Sequence, residues 1–266
     1  MPTKTDPARE LSDLIRNINV RGDHQLGQGL ADLFGVDAWS SEFYQIIFVI
    51  SSRIDELVAI TSILPLDDDQ KAETEQGLRT IQQAFGPNGL QNAFLHSQKN
   101  YLSPATVAPL SALSGLVRPL RSYPKLDDGE RAELLAMIDE LLNWLVEHQI
   151  SENDFIRQAL IEGLTNLRFR LERIQWLGWG YTLHGLRDII AAYFALEKGV
   201  LHSETNPPAE AMVKLVNKFV SSFFERAGFT KDVVETGDFM LKAYGTIQLL
   251  LAGQTTISGL LTYSGS

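Results

Sequence analysis

Apolar side chains recur every three or four residues over most of this chain, the interval that gathers them on one face of an α-helix and that a strand cannot present. Phe43, Ile46, Ile47, Ile50, Ile54, Leu57, Val58 and Leu64 form one such stripe. Leu134, Ile138, Leu141 and Leu145 form a second, and Ile156, Leu160, Leu164, Leu167, Leu171 and Ile174 a third. Met212, Leu215, Val216, Phe219 and Phe223 continue the pattern. The run from Phe43 to Ile50 is rich in strand-favouring residues, yet its period persists to Leu64 without a turn signal, so it too reads as helix.

The punctuation between the stripes is of the matching kind. Asp6-Pro7, Ser40-Ser41-Glu42, Asp67-Asp68-Asp69, Ser103-Pro104, Asp127-Asp128, Ser151-Glu152 and Asn206-Pro207 each put an acceptor, an acid or a proline where the free amides of a first helical turn need one. Gly86-Pro87, Gly178, Gly199 and Gly228 follow apolar stretches and can supply the left-handed residue that closes a helix. Together these predict an all-α multi-helix bundle of about nine or ten helices, with connections short enough for sequential neighbours to run antiparallel.

Arg118-Pro119-Leu120-Arg121-Ser122-Tyr123-Pro124-Lys125 is a poor helix and a plausible connector. It suggests an N-terminal helical subdomain over residues 1–125, with short proline-punctuated helices, and a C-terminal one over 126–266 with long helices; a single continuous domain is the alternative. No fixed-period repeat is visible.

Composition narrows the chemistry. The 266 residues include no cysteine, which removes disulfides, thiolate metal sites and cysteine nucleophiles. A formal charge of -10 repels phosphate backbones, so no nucleic-acid partner is expected. The N-terminal residues show no signal or transit character, and a cytoplasmic location is the expectation. Phosphate-cradling glycine loops, the H-E-x-x-H zinc motif and the G-x-S-x-G elbow are absent, and no cofactor or metal site is expected. The triplet Asp67-Asp68-Asp69 could attract a hard cation, but it lacks the alternating spacing of a calcium loop and suits a helix N-terminus better.

The densest group of polar and aromatic residues spans 168–188. Arg168, Arg173, Trp176, Trp179, Tyr181, His184, Arg187 and Asp188 cluster about a Gly-Trp-Gly break, with two of the four tryptophans of the chain. Guanidinium and indole groups serve anion recognition or protein hot spots, and His184 with Asp188 one turn on could make an oriented imidazole. The competing account is internal: Arg168 and Glu172 as an i,i+4 pair, the indoles as packing at a helix junction. No nucleophile or second acid stands near, so no catalytic residue is assigned and an enzyme is disfavoured.

From Ala243 to Tyr263 no residue is charged. Ile247, Leu250, Leu251, Ile257, Leu260 and Leu261 mark this stretch as a buried helix or an oligomer interface. Gln248, Gln254 and several threonines make it too polar for an ordinary membrane span, although a conditional membrane role remains as an alternative. The functional expectation is a soluble helical interaction or adaptor protein that contacts another protein or a second copy of itself. The alternatives are a pore-forming type of membrane effector using residues 239–263, and an anion-binding or enzymatic module centred on residues 168–188.

Overall fold

Side-chain caps start five of the helices among the described residues. Asp6 accepts from the Arg9 amide at 2.9 Å and Pro7 takes the first helical position, opening α1 (Pro7–Arg16). Ser40 accepts from the Phe43 amide at 3.2 Å and opens α3 (Ser41–Ile63). Asp67 and Gln70 exchange side-chain and backbone bonds in a capping box that opens α4 (Asp68–Ala84). Asp127 and Glu130 do the same for α9 (Asp128–Glu147). The acidic triplet thus begins a helix, and Asp67 is its cap.

The remaining helices are α2 (Leu26–Phe34), α5 (Pro87–Gln91), α6 (Phe94–Asn100), α7 (Pro104–Val107), α8 (Pro109–Val117), α10 (Asp154–Glu172), α11 (Ile174–Val200) and α12 (Pro207–Arg226). Two two-residue strands, β1 (Lys4–Thr5) and β2 (Tyr123–Pro124), complete the elements of this computed structural model, which describes residues 4–20, 24–148, 154–200, 207–226 and 243–247. The protein is an all-α multi-helix bundle with twelve helices among the described residues, more than the nine or ten expected. The excess lies between Pro87 and Val117. There Pro87, Pro104 and Pro109 each occupy a first helical turn, where proline is tolerated, so the segment divides into short helices.

The expected helix stops hold only in part. Gly178 has φ 79° and breaks α11. Gly86 does not end a helix in the left-handed region; at φ -80° it precedes Pro87 as the cap of α5. Helix α11 continues through Gly199 to Val200. The left-handed cap lies instead at Gly35, φ 67°, after α2. Ser151-Glu152, Asn206 and Gly228 lie outside the described residues.

The chain divides into two compact units. One contains Thr5–Ser122 together with the four residues Gln175–Gly178; the other contains Lys4, Tyr123–Ile174 and the described residues from Trp179 onwards. In the first unit α1 packs on α8 and α3, and α4 packs on α3, α5 and α7. Its core includes Leu11, Leu14, Leu30, Phe43, Ile46, Ile50, Ile54 and Leu57. In the second, α9 packs on α10 and α12. Leu134, Ile138 and Leu145 meet Leu160, Leu164 and Leu167 in a core closed by Phe219, Phe223 and Phe224. Each such side chain contributes about 1.5–3 kcal/mol by leaving water, so these stripes account for the helical packing. Arg157 donates to the Leu145 carbonyl at 2.6 Å, satisfying an acceptor in the last turn of α9.

Candidate functional site

The residues singled out between 168 and 188 fall into both units. Trp176 belongs to the first, where it is only 4% exposed and its ring meets Phe34 edge-on at 5.1 Å. Its carbonyl accepts from Arg53 Nη1 at 2.7 Å, and Arg53 Nη2 lies 3.2 Å from Glu10 Oε2 in an ion pair that is nearly withdrawn from solvent. Gly178 has φ 79° and ψ 164°, a backbone state essentially confined to glycine. A Cβ there would lie 2.8 Å from the Arg53 guanidinium and from the Glu10 carboxylate.

The others lie in the second unit. Trp179, also 4% exposed, meets Phe223 at 6.1 Å. Arg168 bonds Asp139 at 2.9 Å and lies 3.5 Å from Glu172, which also receives Arg173 at 3.2 Å. The Arg173 guanidinium covers the Phe169 ring. Tyr181 lies beneath Arg170, which donates to the Tyr181 carbonyl at 2.9 Å. Arg187 pairs with the adjacent Asp188 at 3.1 Å, and His184 is half-buried. The structure therefore joins Arg168 and Arg173 through one carboxylate, and it gives each of these arginines an acidic or aromatic neighbour within its own unit. Of the uncharged C-terminal residues, Ile247 is fully buried in the core of the second unit. Leu250, Leu251, Ile257, Leu260 and Leu261 lie outside the described residues.

An open apolar groove in the first unit escaped the sequence reading. Helix α4 forms one wall and α7 with α8 the other, and the volume between them is about 270 Å³. Leu78, Ile81, Leu110 and Leu113 make its floor and are buried. Gln70, Glu73, Pro109, Ala112 and Leu116 stand exposed along its rim. Gly77 lies in the wall, and a Cβ built on it meets nothing within 4 Å. Glycine in a helix interior costs about 1 kcal/mol relative to alanine. Internal packing does not call for it here, whereas the close approach of another backbone would.

A second exposed surface lies on α3. Tyr44 and Phe48, one turn apart, are 52% and 71% exposed, and Trp39 touches Tyr44 at 6.3 Å while holding a left-handed φ of 64°. The signal for it was available: the run from Phe43 to Ile50 carries more apolar residues than one helical face can bury. No comparable signal marks the groove, because α4 shows only a narrow apolar stripe and the opposing wall begins only at Pro104, beyond two intervening helices.

Among the described residues no group of three imidazole or carboxylate side chains is placed to hold a metal ion, and no helix is long and apolar enough to cross a membrane. Comparison with known protein families, with curated protein sequences and with solved structures finds no match.

Proposed function

We propose that the chain is a protein-interaction module that receives an apolar helical segment of a partner protein between α4 and α7–α8. The observation that carries this reading is the open groove with a buried aliphatic floor and a glycine in its wall. Its dimensions favour a macromolecular occupant. A volume of about 270 Å³ lies at the lower edge of the range of about 300–1,000 Å³ usual for small-molecule sites, and gives room for a few inserted side chains. From Gln70 to Ile81 the wall runs for about three helical turns, or ~16 Å, which matches anchors presented at i, i+3, i+4 and i+7. A chain without cysteine suits the reducing cytoplasm, where we place this activity.

A photoreactive residue at position 77 tests the reading in cells. Irradiation is expected to crosslink the chain to another protein from position 77 and not from the exposed Gln83, and Ala112→Trp is expected to suppress the crosslink. Equal crosslinking from both positions would overturn the groove as the docking site, and none from 77 while purified protein releases dye from vesicles would replace this reading with the membrane-acting one.

A further inference from the structure

Resting on the docking role just proposed, we infer that the occupant of the α4/α7–α8 groove is an amphipathic helix of a different protein with lysine or arginine along one flank. The two walls differ in charge. Between Asp67 and Glu75, α4 and its cap carry Asp67, Asp68, Asp69, Glu73 and Glu75 against the single cation Lys71. From Pro104 to Val117, the opposite wall carries no charge at all. Glu73 stands in the rim, and Asp69 lies one turn before it on the same strip of helix.

These two carboxylates are uncommitted. Arg79, the nearest arginine of α4, is taken by Asp55 and Glu75, and neither Asp69 nor Glu73 has an ion pair among the described residues. A helix lying in the groove would therefore meet aliphatic side chains below, a neutral wall on one side and an acidic edge on the other. Apolar anchors flanked on one side by cations complement that arrangement, and an acidic flank is repelled by it. The same charge argues against a second copy, which would bring its own net -10 to an acidic edge.

The test is a display selection followed by titration. A library of helical peptides of about 16 residues holds leucine at i, i+3, i+4 and i+7 and varies both flanks. It is selected on the intact protein and counterselected on Gly77→Leu, a charge-neutral change that fills the groove from an open position. Ala112→Trp replaces that variant if circular dichroism shows that Gly77→Leu does not fold. The expected winners carry Lys or Arg along one flank. Reversing those cations to Glu is expected to weaken binding, read by fluorescence anisotropy, at least about tenfold, and Glu73→Lys to weaken it severalfold. Winners without a charge bias, or equal affinity after reversal, overturn the cationic flank and leave the docking role standing. No peptide retained by the wild type over the filled variant overturns the docking role itself. A dimer seen by light scattering and abolished by Gly77→Leu installs a second copy as the occupant and overturns the inference.

Discussion

The Arg53 guanidinium lies 2.8 Å from the point where a side chain on Gly178 would begin. Two independent reasons thus exclude any other residue at 178. Its φ of 79° with ψ of 164° is a glycine conformation, and the space beside it is filled by Arg53 and by Glu10. Gly178→Ala is expected to destabilise the first unit by about 2–4 kcal/mol, combining backbone strain with displacement of the ion pair. Chemical denaturation followed by circular dichroism measures it; a loss under about 1 kcal/mol would mean that the backbone relaxes into another conformation.

Arg53 and Glu10 should behave as one unit. Removing either alone leaves a charge in a nearly dry site, at a cost of about 3–5 kcal/mol, whereas replacing both with apolar residues removes the two charges together and takes the Arg53 donor from the Trp176 carbonyl. A double-mutant cycle of Arg53→Met and Glu10→Leu should therefore show strong non-additivity, with the double variant more stable than the sum of the single losses predicts by at least about 1 kcal/mol. Simple additivity would show that the pair contributes through packing alone.

What was legible in the residues was the part governed by neighbours in sequence. Asp6, Ser40, Asp67 and Asp127 start helices because a cap needs only an acceptor and an amide three residues on, and the apolar stripes of α3, α9, α10 and α12 bury the faces that their spacing marks. Twelve helices stand among the described residues where about nine or ten were expected, because three prolines cut one stretch into short helices. The chemistry of the 168–188 cluster could be named, but its partners could not. Arg53 reaches the Trp176 carbonyl across 123 residues, and nothing local to either residue announces the other. The groove was hidden for the same reason, since its two walls are distant segments and its lining glycine looks in sequence like a mere weakness of α4.

Trp176 and Trp179 are only three positions apart, yet each reports on a different unit. Trp176 meets Phe34 in the first and Trp179 meets Phe223 in the second. Truncating a ring that is 4% exposed opens a cavity, so Trp176→Ala and Trp179→Ala should each cost about 3–5 kcal/mol. Pulse-labelled hydrogen exchange distinguishes them. The first substitution should raise exchange chiefly among the helices α1–α4 and the second chiefly in α9, α10 and α12, whereas a binding role for either indole predicts unchanged exchange in the free protein.

Gly77 separates the demands of folding from those of binding. An alanine methyl there meets nothing within 4 Å, the residue is helical, and its φ needs no glycine, so only the entropy and propensity terms remain. Gly77→Ala is accordingly expected to stabilise the protein by about 0.5–1 kcal/mol, read as a rise in the denaturation midpoint with an unchanged slope. The same methyl group narrows the groove where a partner helix would come closest. A variant that gains stability while losing affinity for the selected peptide would tie this glycine to the occupant. A gain with full affinity would move the closest approach elsewhere along α4, towards Glu73 and Gln70.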